Sequence, residues 1–324
     1  MRPILISLLT ALISKGGKTV LVLLGVLTLV FAVVRAVPGD PALSILGDQA
    51  PPEDLARLRD SMGLNKPLWS QYTDYAGQVL DGTLGRPFSH VRGDLTVAQL
   101  IAGVFPYTLE LALSAVLIAM LIAFPLGIAS ARRKDGPLDH IALIATLLGV
   151  AMPGFWIGPL LIHLVCVKLG LLPDPAAGVT GLPSLILPAF VLGLALSGKL
   201  TRMVRSSMLD ILQEKYVVAA RARGLSEPRI IVRHVFRNAL IPVVTVLGLQ
   251  FAALLSGAIV TEKVFARPGI GTLLLEGIAQ RDYAIVQGTA LVIGAIYVMV
   301  NLVVDLLYAV IDPRIAAAKK GGQS

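Results

Sequence analysis

The sequence predicts an all-α polytopic membrane protein with six transmembrane helices. Three observations carry that expectation. Of 324 residues, 56% are hydrophobic and only 15% charged; the apolar residues fall in blocks about one bilayer thick; and the polar segments between the blocks share the positive charge unevenly. Blocks of that length do not suit a soluble core.

The first block covers residues 18–37. Lys15 and Lys18 precede an apolar run over 19–34 and so imitate a secretory signal, but Arg35, Val37 and Pro38 form no small-residue cleavage site. An uncleaved first span is expected. Residues 38–105 then leave the membrane as an outer helical insertion. Within them, residues 50–63 begin with prolines, carry Glu53 and Asp54 in a first turn, end on Gly63 and place Leu55, Leu58 and Met62 on one stripe, the pattern of a short amphipathic helix. A second helix is expected from Pro67 to about Leu80, with Leu68, Tyr72, Tyr75 and Val79 on one face. Neither carries a ligand cluster, so the pair is expected to cap the outer ends of the spans.

Residues 106–131, 139–167, 184–203, 240–261 and 285–310 supply the other five spans. Pro125, Pro153, Pro159 and Pro188 fall inside them and predict local kinks, while Gly and Ala permit close helix approach. Six spans put both termini on one side. Of the 28 Lys and Arg, 18 lie in the terminal segments and in residues 132–140 and 199–237, so the positive-inside rule makes that side cytoplasmic. The chain then divides into a cytoplasmic start and first span (1–37), the outer segment (38–105), a transmembrane domain (106–311) with a cytoplasmic loop at 204–239, and a tail (312–324). The net charge of +8 is read as an orientation signal, not as nucleic-acid binding.

Catalytic chemistry is not visible in the sequence. His90, His140, His163 and His234 are far apart and form no HExxH pair, no GxSxG elbow occurs, and the lone Cys166 lies inside a span as a structural thiol. Residues 193–199, GLALSGK, match the first seven positions of a phosphate loop. The eighth is Leu200 instead of Ser or Thr, and the segment ends a membrane helix instead of following a strand. No catalytic residue, metal site or cofactor is expected, and any ATP must be bound by another chain.

The most informative stretch is polar and lies between spans: residues 214–242, EKYVVAARARGLSEPRIIVRHVFRNALIP. A helix is expected over residues 210–223, with Ala219 and Ala220 leaving a slender surface for a partner's groove and Gly224 as a left-handed stop. Leu225, Ser226, Glu227 and Pro228 turn the chain into a further helix, where Arg229, Arg233 and Arg237 recur every four residues as a cationic stripe. Glu110 and Asp305 are charges close to the membrane, either solvated at the interface or lining a pathway.

This loop resembles the EAA loop of ABC-importer membrane subunits, specifically the first permease of the dipeptide and oligopeptide family. The matching residues are Ala220, Arg221, Ala222, Arg223, Gly224, Leu225 and Ser226, then His234, Arg237, Asn238, Ala239 and Pro242. Similar family patterns occur at residues 38–42 (PGDPA), at Leu64, Pro67, Leu68, Gln71 and Tyr72, at Pro153, Phe155, Trp156 and Gly158, over residues 264–288, and at residues 304–314 (VDLLYAVIDPR). The chain departs from the pattern at Val218, where the loop's leading Glu is usual, at Thr83 and at Met152.

The resemblance implies a type I importer transmembrane domain of the MetI-like kind in the bacterial inner membrane. It implies a heterodimer with a second homologous permease, two cytoplasmic ATPase subunits that hydrolyse the ATP, and an extracytoplasmic binding protein that delivers substrate. Di- or oligopeptides are the implied cargo, with nickel chelates, glutathione or another small solute as alternatives. Tyr216, Ala219, Ala220, Arg221, Arg223, Gly224, Leu225, Ser226, His234 and Arg237 would form the ATPase contact. Pro153, Phe155, Trp156, Glu110 and Gln250 would belong to the pathway or its gate. An ion-coupled secondary transporter is the rival class, but the long loop at 204–239 has no counterpart near residues 132–140, as inverted repeats would require.

Overall fold

The computed structural model describes residues 2–47, 49–88, 94–151, 154–178, 181–255 and 258–311, and no strand occurs among them. Helix α1 (Arg2–Ala36) holds the first apolar block. Helix α2 (Pro41–Leu46) starts where the Asp40 carboxylate accepts the Ala42 N–H at 2.9 Å, and α3 (Pro52–Ser61) starts with a proline in its first turn. Helix α4 (Leu68–Leu80) follows. Helix α5 (Val97–Arg132) opens on a reciprocal cap in which Thr96 and Gln99 satisfy each other's backbone N–H groups.

Helices α6 (Pro137–Ala151) and α7 (Gly154–Leu161) follow, the latter continuing into a π-helical turn over Ile162–Lys168. Then come α8 (Leu182–Leu212), the short α9 (Lys215–Ala222) and α10 (Glu227–Ile230), and a second π-helical turn (Ile231–Phe236) that leads into α11 (Arg237–Leu255). Helices α12 (Ile259–Val264), α13 (Ile270–Ala279) and α14 (Tyr283–Ile311) complete the order.

Among the described residues α1, α5, α8 and α14 are each long and apolar enough to cross a membrane. A fifth span results if the bent run from Glu227 to Leu255 is one unit, its 48° bend lying at Leu240 and Pro242, where proline withdraws a backbone donor. The block expected at 139–167 is divided between α6 and α7, so the structure identifies four to five spans where the sequence suggested six. Pro125, Pro159 and Pro188 lie inside α5, α7 and α8. Met152, Pro153 and the tail 312–324 lie outside the described residues, as does the side chain of Asp305 on α14.

The centre of the molecule is the contact of α5 with α8. Leu111, Ala115, Ala119, Ala123, Gly127 and Ala131 recur every four residues along α5, and all are buried. Spacing by four keeps them on one helix face, and small side chains let the two backbones approach closely. A Cβ on Gly127 would stand 2.7 Å from Cβ of Val204, and one on Gly193 would stand 2.8 Å from Cβ of Ile118. The same apolar cluster runs on through Leu196, Leu200, Val204 and Met208 to Val217, Ala220, Ile230 and Val235. Core packing therefore reaches without a break from the membrane helices to α9 and α10.

The α5–α6 turn is fixed to α8 by an ion pair: both carboxylate oxygens of the buried Asp139 accept from Arg205, from Nε and from Nη2, each at 2.6 Å. Tyr72, Tyr75 and Val79 of α4 pack with Leu27 and Phe31 of α1 and Leu291 of α14, while Leu68 stays exposed. Helix α3 buries none of its residues and is held by the ion pair of Arg59 with Asp40.

Candidate functional site

The polar loop folds as two short helices seated on the end of the α5–α8 core. Helix α8 stops at Leu212, and the Glu214 N–H turns back to the Ile211 carbonyl at 3.0 Å while Glu214 itself is extended. The single helix expected over 210–223 is therefore two helices, α8 and α9, with a corner between them. No Gly or Pro marks that corner; it lets Val217 and Ala220 reach the same apolar cluster as Met208 and Val204.

The end of α9 follows the expected chemistry. Gly224 sits at φ 74°, its N–H donates to the Arg221 carbonyl at 2.9 Å, and the Leu225 N–H reaches back to the Ala220 carbonyl at 3.3 Å. This pair of bonds is the Schellman arrangement, completed by Leu225 packing against the cluster that contains Ala220. Arg221 Nε then closes the turn on Glu227 Oε1 at 2.6 Å, and Ser226 begins α10.

Two further facts shape this surface. Ala220 is buried inside the chain whereas Ala219 is exposed, so the expectation that both alanines face a partner is corrected for Ala220, which anchors the helix instead. Tyr216, Val218, Ala219, Arg221, Arg223, Gly224 and Ser226 stay on the accessible side. The Tyr216 hydroxyl accepts from Nδ2 of Asn238 at 2.8 Å, and that same nitrogen also donates to the His234 carbonyl at 3.0 Å. These bonds tie α9 to the head of α11. Arg229, Arg233 and Arg237 are all exposed, and His234 is half-buried beside them.

The second polar concentration lies where α12 and α13 meet α5. Glu262 is fully buried: Oε1 accepts from the Thr108 hydroxyl at 2.7 Å and Oε2 from the Thr272 N–H at 3.0 Å, while Thr108 Oγ1 also accepts the Ile270 N–H at 2.9 Å. Nearby, the buried Arg267 donates to Glu110 at 2.8 Å and lies over the Tyr107 ring. Glu110 is thus an ion-pair partner that remains partly exposed. Phe155 and Trp156 are exposed at the start of α7, and Gln250 is half-buried on α11. Among the described residues no hydrogen bond joins Gln250 to Glu110 or Trp156.

Comparison with known proteins turns this arrangement into an identity. The family described as the binding-protein-dependent transport system inner membrane component matches residues 123–317, and its N-terminal companion matches residues 8–112. The chain belongs to this family. It is 37% identical over 96% of its length to the dipeptide transport system permease protein DppB of Escherichia coli K12, covering 100% of that protein. It is 38% identical over 95% of its length to the di/tripeptide transport system permease protein DppB of Pseudomonas aeruginosa UCBPP-PA14, of which it covers 99%. To the oligopeptide transport system permease protein AppB of Bacillus subtilis it is 36% identical, over 94% of this chain and 98% of that one. Its fold is shared with a chain of the inward-facing MetNI methionine ABC transporter, at a TM-score of 0.54 and 18% identity, over 66% of this chain and 96% of the other.

This permease is therefore a multi-pass, non-catalytic subunit of an ABC importer, which works with ATPase and substrate-binding components. The segment GLALSGK is buried helix on α8 apart from exposed positions such as Lys199, so no phosphate-binding loop exists there. Sequence reasoning missed Asn238 as a tether although its family motif was quoted, and it missed Val217 and Glu262 altogether. Val217 carries a usable signal, an apolar residue three before Ala220 on the same helical face. Glu262 carries none, because its partner is Thr108, 154 residues away.

Proposed function

We propose that this permease is one half of a heterodimeric peptide importer of the bacterial inner membrane, and that α9 with the following turn receives the stroke of two ATPase subunits. The names of its relatives supply the substrate class: dipeptides, tripeptides and oligopeptides. The observation that carries the coupling role is the division of α9 into two faces. Val217 and Ala220 are locked into the core that continues through α5 and α8, while Tyr216, Ala219, Arg223 and Gly224 remain open for contact.

An apolar anchor in the core behind an open surface suits force transmission. A partner that binds one state of the membrane body better than the other shifts its equilibrium, and closure of the ATPases on ATP supplies that differential binding. The charge pattern supports an orientation with both termini and Ser226 in the cytoplasm and Gly63 and Gly178 outside. In this reading the divided block of α6 and α7 completes six spans, and Phe155, Trp156, Glu110 and Gln250 belong to the pathway half that a second permease faces.

The test is site-specific cross-linking in the reconstituted importer. Ala219→Cys should form a disulfide with an engineered cysteine on an ATPase subunit, with an efficiency that changes between the ATP-bound and nucleotide-free forms, while peptide uptake requires both ATP and the binding protein. Uptake driven by an ion gradient without any ATPase, or cross-linking at Ala219 that never depends on nucleotide, overturns the reading.

A further inference from the structure

Helix α4 carries apolar side chains on two neighbouring faces, and its own chain covers one of them. Tyr72, Tyr75 and Val79 form the packed face against α1 and α14. Trp69, Thr73, Ala76 and Leu80 recur at helical spacing on the adjoining face, where Trp69 and Leu80 are 73% and 88% exposed. Trp69 stacks on Tyr72 with ring centres 5.7 Å apart, so the open face continues directly from the packed one. Ser70, Asp74 and Gln78 recur every four residues on a third, polar face, and Asp74 is paired there with Lys66 at 2.7 Å.

The level of α4 against the membrane helices says what meets the open face. The Tyr72 and Thr28 hydroxyls share a hydrogen bond at 2.9 Å, and the Tyr72 and Tyr75 ring centres lie 5.3 and 6.1 Å from that of Phe31. Thr28 and Phe31 belong to the apolar window Thr19–Ala36 of α1, and Thr28 stands eight residues before that helix ends, about 12 Å at the helical rise. At its start α4 is tied to the end of α1, where Arg35 Nε donates to Gln71 Oε1 at 2.7 Å. Past its end the Leu84 N–H returns to the Gln78 carbonyl at 2.9 Å, and the Val97 N–H at the head of α5 donates to the Gly85 carbonyl at 2.9 Å. Helix α4 thus reaches from the end of one membrane helix to the head of the next, and it lies beside the apolar block of α1 instead of beyond it.

A face at that level meets the bilayer. A soluble partner does not reach below the end of a membrane helix, and water would leave an indole and two leucines, Leu68 and Leu80, solvated together on one short helix. Tryptophan and tyrosine collect at headgroup level because the ring is apolar while its N–H or O–H seeks a polar partner. A helix with one apolar and one polar face lies in the plane of the membrane and sinks the apolar face about 5–10 Å into the boundary between headgroups and acyl chains.

We propose that α4 is a membrane-surface helix, with Trp69, Thr73 and Leu80 inserted among the phospholipids beside α1 and with Asp74 and Gln78 turned to the aqueous side. Lipid then holds this part of the chain together with the packing on α1 and α14. The leaflet concerned follows from the orientation proposed above, whereas the contact with lipid does not depend on it.

The chain has two tryptophans, so Trp156→Phe leaves Trp69 as the sole indole emitter. With the full-length variant in phosphatidylcholine nanodiscs, lipid brominated at shallow acyl positions should cut Trp69 emission by about twofold or more, lipid brominated near the chain ends should cut it less, and aqueous iodide should scarcely change it. A second measurement places nitroxide labels on Leu80→Cys and on Gln78→Cys in the assembled importer, each with Cys166→Ser and with cysteine-free partner subunits. The Leu80 label should collide more with oxygen, which concentrates in lipid, and the Gln78 label more with a water-soluble nickel chelate. The proposal is overturned if iodide quenches Trp69 and brominated lipid does not, which would make α4 a hydrated cap. It is also overturned if the deep bromines quench more than the shallow ones. Loss of both kinds of collision at Leu80 in the assembled importer overturns it as well, because a protein partner then covers this face.

Discussion

The loop that carries α9 and the turn that joins α12 to α13 are both short helical insertions against the same pair of long helices, yet they are held by opposite means. Helix α9 is seated by apolar side chains, Val217 and Ala220, and its polar contacts with Asn238 and Glu227 lie at the surface. The α12–α13 turn is seated by buried polar groups, Glu262 and Arg267, that bond to α5. Apolar seating tolerates small shifts because it has no direction, whereas buried hydrogen bonds fix geometry and are costly to break. The first region leaves its polar face open, and the second closes its polar groups on its own chain.

The largest effect should come from breaking the second region. Glu262→Ala leaves the Thr108 hydroxyl and the Thr272 N–H without their acceptor and opens a void, at a cost of about 3–5 kcal/mol. Glu262→Gln should cost roughly half of that, since its oxygen still accepts from Thr108 but its NH2 cannot accept from Thr272. Thermal unfolding of the purified chain measures both. A Glu262→Ala protein as stable as the parent would remove the contrast between the two regions.

Next in size is the contrast within α9. Val217 is fully buried and Val218 exposed, so Val217→Asp should destabilise by about 3 kcal/mol or more, while Val218→Asp stays within about 0.5 kcal/mol of the parent. Membrane levels of the two variants read this directly. Val218→Glu, which restores the acidic residue usual in the family, should accumulate normally. Equal losses from both positions would show that α9 is not seated on one face.

Gly224 gives a smaller change in stability and a larger one in function. A side chain at φ 74° costs about 1–2 kcal/mol for a bulky residue, and a Cβ there would meet nothing of this chain within 4 Å. Strain confined to the backbone means that Gly224→Val should be inserted at near-normal levels. If peptide uptake nevertheless falls by tenfold or more, the loss reports on the surface that the partner covers. Normal uptake by an inserted Gly224→Val would show that no tight groove closes over this turn.

The parts legible in the sequence were those with local causes. Gly224 as a left-handed stop, the starts of α3 and α4 and the apolar face of α4 all follow from residues within one or two turns. The corner at Gln213 and Glu214 was not legible, because neither residue breaks a helix and the turn is imposed by what Val217 must bury. The small-residue stripe from Ala115 to Ala131 was present as an i, i+4 repeat and was read only as general permission for close packing. Glu262 with Thr108 and Asp139 with Arg205 join residues far apart in sequence, so no local pattern marked them.

The smallest effect tests how motion on α9 reaches α11. Tyr216 and Asn238 share one hydrogen bond at an exposed position, so Tyr216→Phe and Asn238→Ala should each cost only about 0.5–1.5 kcal/mol, and the double variant should cost no more than the larger single loss. Transport should separate from hydrolysis more clearly than stability does. If this bond passes the stroke onward, the assembled importer carrying Tyr216→Phe should hydrolyse ATP at close to the parental rate while moving less substrate per ATP. Additive losses in the double variant, or an unchanged ratio of transport to hydrolysis, would leave the apolar seat of Val217 and Ala220 as the route by which α9 drives the membrane helices.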